Sequence, residues 1–252
     1  METQKKIALI TGANRGLGLE IARQLGNKGM IVLVGARNEM AGVAAVEKLS
    51  QQGIVAHFLP LDITKAESIA AAVNQVKNQF GWLDVLVNNA ARLPVKPEDQ
   101  HNPSDISPEL LAAYIDINFM AQVAITQAFL PLIRLSATGR IVNMSSTIGS
   151  VTLTSEPLHQ NGPKPARLAY AAAKAAFNMF TVTLAKELVG TGIKVNAADP
   201  GLTQTEVGQD RPNANTVEQG AKPAVWLSCL GDDGPTGCFF THWHNHETVN
   251  PW

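Results

Sequence analysis

Residues 7–18 read IALITGANRGLG, and this stretch decides the fold. Ile7 to Thr11 is an apolar run without polar alternation, the pattern of a strand covered on both faces. It breaks into Thr11-Gly12-Ala13-Asn14-Arg15-Gly16-Leu17-Gly18, and from Leu17 to Lys28 apolar residues recur at helical spacing. A glycine-rich turn in that position lets the backbone bend tightly and approach a pyrophosphate. The ligand's charge then meets the free N–H groups at the helix start. The spacing is Gly-x-x-x-Gly-x-Gly, and the strand before it and the helix after it supply the context such a motif needs.

Outward from this turn, short apolar runs alternate with longer amphipathic stretches. Met30 to Gly35, Ile54 to Leu61, Leu83 to Val87, Arg140 to Met144, Ile193 to Ala197 and Gly237 to Thr241 read as further strands. Between them, helices are expected over Glu39–Gln52, from Thr64 to Phe80, from Ser107 to about Leu130, over Arg167–Val189 and over Thr216–Leu230. Thr64 and Glu67 have the spacing of a capping box, and Ser107-Pro108-Glu109 that of an N-cap followed by proline. Residues 91–106, rich in Pro and Asp, read as a loop. This alternation implies βαβ crossovers, hence an α/β chain: a Rossmann-type, doubly wound parallel sheet of about seven strands with helices on both faces. No linker divides it, so residues 1–252 are expected to form one domain.

Composition narrows the function. The chain has 252 residues with Lys+Arg 20 against Asp+Glu 21, a formal net charge of −1, so no basic footprint for nucleic acid or an anionic membrane surface is present. Hydrophobic residues make up 45%, too many for disorder. The apolar run near the N-terminus is too short for a signal segment, and Phe129-Leu130-Pro131-Leu132-Ile133 is cut by Pro131 and Arg134, so no membrane span is expected. Cys229 and Cys238 build neither a disulfide framework nor a zinc pattern. A reducing cytoplasmic setting is the expectation.

The turn TGANRGLG resembles that of the short-chain dehydrogenase/reductase family, and further marks of that family follow in order along the chain. They are Asn88-Asn89-Ala90, Asn118, Ser146, Tyr170-Ala-Ala-Ala-Lys174 and Pro200-Gly201. Arg15, Arg37 and Gly234-Pro235-Thr236-Gly237 look most like the carbonyl reductase branch. Ala91 stands where the family usually has glycine, and a positive φ there would strain it.

Tyr170 and Lys174, four apart, share one face of a helix. An ammonium beside a phenol favours phenolate, so Lys174 is expected to lower the pKa of Tyr170 and fit it for general acid–base work. The resemblance implies that Ser146 hydrogen-bonds the substrate oxygen, with Ser145 the competing choice. It also implies that Asn118 distorts its helix and holds a water that relays protons to Lys174; a surface asparagine is the alternative. For the cofactor it implies NADPH/NADP+, held by Gly12, Asn14, Arg15, Gly16, Leu17, Gly18, Arg37, Asp62, Ile63, Asn89, Tyr170, Lys174, Pro200, Gly201 and Thr205. Ala36 occupies the place where NAD-binding relatives carry an acid for the ribose 2′-OH, and Arg37 follows it with a guanidinium suited to a 2′-phosphate.

The expected activity is reduction of a ketone or aldehyde, a small-molecule carbonyl substrate, with no nucleic-acid or membrane partner and no metal. An alcohol dehydrogenase working oxidatively and a non-catalytic NADP(H)-sensing regulator are the rival readings. The family commonly forms dimers or tetramers. An insert over about 150–166, Pro-rich between Ser155 and Pro165, leaves a monomer open. The tail, 242–252, opens His242-Trp243-His244-Asn245-His246; alternate histidines on one strand would share a face, though a pocket lid or subunit contact is the preferred reading.

Overall fold

The computed structural model describes residues 5–94, 101–155, 167–205, 214–243 and 246–252. In it β1 (Ile7–Thr11), β2 (Ile31–Ala36), β3 (Ala56–Pro60), β4 (Val85–Asn88), β5 (Arg140–Met144), β6 (Lys194–Asp199), β7 (Phe239–Trp243) and β8 (His246–Val249) form one sheet. Their order is β3-β2-β1-β4-β5-β6-β7-β8. The first seven are parallel, and β8 returns antiparallel beside β7. β8 was not expected from the sequence. It places His242 and His246 on different strands, with Trp243 opposite His246, so they do not alternate along one strand. His244 lies outside the described residues.

The apolar strand runs are explained by two cores, one on each face. Ala8 and Ile10 of β1 pack with Val32, Val34, Val87 and Val142 beneath α1 (Gly16–Asn27), α2 (Glu39–Ser50) and α8 (Val217–Ser228). Ile7 and Leu9 point the other way, with Leu33, Leu86 and Ile141, under α3 (Ala66–Gln79), α5 (Ala121–Ile133) and α7 (Leu168–Glu187). Each fully buried aliphatic side chain contributes about 1.5–3 kcal/mol. Ser107 caps α4 (Pro108–Ile115) through Leu110 N–H, as its spacing predicts.

Three local expectations change. Thr64 does not cap α3: its hydroxyl and N–H both go to the Asp62 carboxylate, and the helix starts after Lys65 without a side-chain cap. The helix from Pro108 is not uniform, because a π-helical turn at Asp116–Met120 separates α4 from α5. Part of the expected insert loop is helical, as the short α6 (Val151–Ser155), which follows a 3₁₀ turn at Thr147–Gly149; residues 156–166 lie outside the described residues.

Two helical stretches, Pro108–Ile133 and Leu168–Glu187, are long and apolar enough to cross a bilayer, contrary to the expectation from Pro131 and Arg134. Their apolarity has a local use: Ile125, Phe129 and Ile133 of one and Phe177 and Leu184 of the other are buried in this fold.

The edge of the sheet away from the strand C-termini is fixed by buried charge. Asp84 accepts from Ile7 N–H and from the Trp82 indole. Arg140, only 1% exposed, spreads its guanidinium over the carbonyls of Gly139, Gly192, Leu230 and Gly231. Replacing Arg140 by Ala orphans those carbonyls and is expected to cost about 3 kcal/mol or more in urea unfolding. Asp232→Ala removes only an 86%-exposed partner at 3.4 Å and should cost less than about 1 kcal/mol.

Candidate active site

All the expected residues that lie at strand ends are at one edge, where the parallel strands finish. β1 has β2 on one side and β4 on the other, so connections diverge there and leave a crevice for a ligand. The glycine turn lines it. Gly12 has φ +65° and Gly16 φ +54°, the left-handed region that glycine supplies. A Cβ on Gly18 would lie 2.5 Å from Asn89 Nδ2 and 2.6 Å from the Gly12 carbonyl, so no side chain fits.

Asn89 braces this turn. Its amide donates to the Thr11 carbonyl at 2.8 Å, and its backbone N–H donates to the Thr11 hydroxyl at 2.8 Å. Ala90 N–H shares that hydroxyl at 2.9 Å. Ala91 lies exposed between Ala90, whose carbonyl accepts from Gln122 Nε2, and Arg92, which Asn118 holds.

A groove of about 640 Å³ opens beside the turn, lined by Asn14, Arg15, Leu19, Arg37, Asn38 and Lys48 among others. It brings Arg15 and Arg37 together, as the sequence suggested, and adds Lys48 from α2, which sequence reading missed. Its signal was weak, since an exposed lysine late in a helix is ordinary. The glycine cradle and the cationic groove fit an anionic dinucleotide. Asp62 ends the β3 connection with a carboxyl held below its usual range, chiefly by the Thr64 hydroxyl, with Arg37 contributing; Ile63 beside it is buried.

Asn118 sits in the π turn, fully buried. Its side chain bonds backbone through both ends: Oδ1 accepts from Arg92 N–H at 2.9 Å and Nδ2 donates to Arg92 O at 3.1 Å. The side chain therefore pins the loop after β4 to the helix. Beneath it a polar chain crosses the sheet. Asn88 Nδ2 donates to Thr126 and to Asn143 Oδ1, and Asn143 donates to Thr181, each at 2.8 Å. Only the NN pair at 88–89 hinted at this.

The two serines after β5 separate cleanly. Ser145 is buried and donates to Asn178 Oδ1 at 2.5 Å. Ser146 is half-buried, and its oxygen receives only a long 3.5 Å bond from Ile148 N–H. Lys174, 3% exposed, donates to the Met144 carbonyl at 2.6 Å. Burial lowers its pKa to about 8, opposed by the Asp199 carboxylate. Its ammonium lies 5.5 Å from the Tyr170 ring centre.

Tyr170 does not have the lowered phenol expected from Lys174. Burial pushes its pKa up, the Asp199 charge adds to this, and the Arg167 guanidinium pulls the other way. Tyr114, completely buried, stands edge-on to Tyr170 with ring centres 6.4 Å apart, a neighbour the sequence did not announce. On the far side, Gly201 has φ +65° and Pro200 O is held by Asn215 and Thr203, while Thr205 lies against Gly16, 3.9 Å from where its Cβ would be. The loop after β6 thus closes on the glycine turn. Among the described residues no three His, Cys, Asp or Glu side chains gather as a metal site.

Residues 6–216 match the family model for short chain dehydrogenase. The chain belongs to that family. A short-chain dehydrogenase/reductase of Stachybotrys chlorohalonatus is 36% identical, the match covering 94% of this chain and 88% of that protein. Salutaridine reductase of Papaver bracteatum is 30% identical, covering 94% of each. Among solved structures, the NADPH-bound carbonyl reductase from chicken fatty liver superposes with TM-score 0.83 at 26% identity, covering 99% of this chain and 100% of that one. The chain is therefore a carbonyl reductase-like oxidoreductase.

The serine geometry gives a test. Ser145→Ala leaves Asn178 Oδ1 without its donor and should lower stability by about 1–3 kcal/mol. Ser146→Ala should leave the unfolding midpoint nearly unchanged while carbonyl reduction falls about 10²–10³-fold, measured by thermal denaturation beside steady-state assay.

Proposed function

We propose that this protein reduces a small-molecule ketone or aldehyde to the alcohol with NADPH, Tyr170 giving the proton. The observation that carries the reading is the convergence of Tyr170, Lys174 and Ser146 at the strand ends: the Lys174 ammonium lies 5.5 Å from the Tyr170 ring centre and is fixed by the carbonyl of Met144, two residues before Ser146. NADPH, held by the glycine turn, the Arg15–Arg37–Lys48 groove and the Pro200–Thr205 loop, supplies the hydride when bound.

The chain's own residues do the rest. Ser146's hydroxyl, free of strong partners among the described residues, hydrogen-bonds the carbonyl oxygen and steadies the charge that grows there. Tyr170 Oη passes its proton to that oxygen as the carbonyl carbon is reduced. Lys174, fixed by the Met144 carbonyl, keeps a positive charge under the phenol and stabilises the phenolate left behind. Asn118 holds Arg92 and the loop after β4 against this cluster.

The intact set of Asn118, Ser146, Tyr170 and Lys174 favours an enzyme over a cofactor-sensing regulator. The reductases among its relatives favour reduction over oxidation as the working direction. The absence of an acid at Ala36, with Arg37 beside it, supports a 2′-phosphate. The chain is also read as a homo-oligomer, on family grounds.

Tyr170→Phe keeps the ring and removes the donor. NADPH consumption with an activated ketone should fall about 10²–10⁴-fold while NADPH binding survives; near-normal turnover would exclude the assignment. The wild-type protein should prefer NADPH over NADH at least tenfold in kcat/KM, about 1.4 kcal/mol. Ala36→Asp with Arg37→Ala should reduce or invert that preference, and equal efficiency with both dinucleotides in the wild type would rule it out.

A further inference from the structure

Asp199 is an ionisable side chain buried in the site that the proton-transfer scheme leaves unused. It ends β6, 3% exposed, one residue before Pro200. Its strand pairs with β5 on one side and, at Asp199 itself, with Thr241 of β7 on the other. Its Oδ1 accepts from Gly201 N–H at 3.1 Å. The carboxylate also accepts from both the backbone N–H and the hydroxyl of Thr147. Thr147 follows Ser146, and Gly201, in the left-handed region, follows Pro200. One carboxylate thus joins the turn that carries the substrate-facing serine to the loop on the cofactor side. A lone strand-end acid held by its own turn would not reach across two strands in this way.

We propose that Asp199 is a positioning residue for carbonyl reduction: it locks the Ser146–Thr147 turn to the Pro200–Gly201 turn and supplies the counter-charge for Lys174. This rests on the reading of the site as an NADPH-dependent reductase. The charged and titratable groups around it are Lys174 and Tyr170 on α7, Arg167 at the start of that helix, and Tyr114 on α4 behind Tyr170. Three donors converge on the carboxylate, so it functions as a hub only when ionised. An amide in its place has one acceptor oxygen, and its NH₂ would face a donor. Burial lifts the carboxyl to about 6, against the hydrogen bonds and Lys174, which oppose the rise. Above that pH the hub is charged; below it the hub takes up a proton, the Thr147 bonds weaken and Lys174 loses its counter-charge.

The test compares wild type, Asp199→Asn and Thr147→Val with NADPH and an activated ketone from pH 5 to 8. Melting temperature and NADPH affinity are measured alongside. In the wild type, kcat is expected to fall below about pH 6. In Asp199→Asn, kcat at pH 7 should drop at least tenfold, with ketone KM within threefold and the acid limb gone. Thr147→Val deletes one bond and keeps the charge, so it should lose about threefold in kcat and retain the acid limb. Asp199→Asn with wild-type kcat and an unmoved pH profile would overturn the proposal. So would a loss of activity that follows the folded fraction while the profile per folded molecule stays fixed. Should Asp199→Asn fail to fold, Thr147→Val decides: an unchanged kcat overturns the proposal, a threefold loss supports it. A wild type that never oxidises NADPH refutes the reductase reading instead.

Discussion

A single hydroxyl, that of Thr11, holds together the two segments on which the rest of the site is built. It lies at the end of β1, completely buried, receives the backbone N–H groups of Asn89 and Ala90, and is 3.4 Å from the Val87 carbonyl. β1 and β4 have no direct chain connection; they meet because they are neighbours across the point where the sheet changes direction. Backbone pairing joins them as far as Ile10 and Val87, and past that point the Thr11 hydroxyl ties their ends. With Asn89 reaching back to the Thr11 carbonyl, the tie is reciprocal, and Gly18 must stay without a side chain because that amide occupies the space. An open crevice flanked by rigid walls is the consequence, and both the glycine cradle and the loop to Arg92 take their position from it.

The features that were legible in the sequence are those with period or punctuation. Strands buried on both faces need continuous apolar runs, so IALIT, MIVLVG and RIVNM declared themselves. The glycine turn was legible because φ beyond +50° at residues 12 and 16 admits little else. What stayed hidden is tertiary. A distortion at Asn118 was implied by resemblance, but the bonds beside the π turn at 116–120, from Gln122 to the carbonyls of Ala90 and Ile117, follow no local pattern. Thr64 had the spacing of a cap, yet Asp62, two residues earlier, offered a charged acceptor, which is the stronger partner. β8 escaped because HETV is too short and too polar to stand apart as a strand until β7 supplies its partner.

The candidate site shows the same division. Asn118, Ser146, Tyr170 and Lys174 come together at the strand ends, but their partners were unreadable: Asn178 for Ser145, Met144 O for Lys174, Arg92 for Asn118. Hydrogen bonds to backbone carbonyls leave no trace in a neighbouring side chain. Asp199 did leave one, an acid closing the strand KVNAAD, where a buried sheet should end on an apolar residue unless the charge has a use.

Charge in this molecule is sorted by depth. The cations of the groove, Arg15, Arg37 and Lys48, stand exposed at the surface. Beneath the sheet edge, burial works on the other groups in opposite senses: it raises Asp199 toward 6 and lowers Lys174 toward 8. Between those two values the acid is negative and the lysine positive, and each supports the other's charge. Tyr170, pushed upward by burial and by Asp199, keeps its proton throughout that interval. An oxidative enzyme needs the reverse arrangement, a phenol made acidic enough to give up its proton near neutrality. Here burial and Asp199 oppose that, while the Arg167 guanidinium and the Lys174 ammonium, 5.5 Å from the ring centre, favour it. Burial and the Asp199 charge raise the phenol, the Lys174 ammonium lowers the cost of the phenolate, and the balance of the two decides how readily a proton moves in either direction.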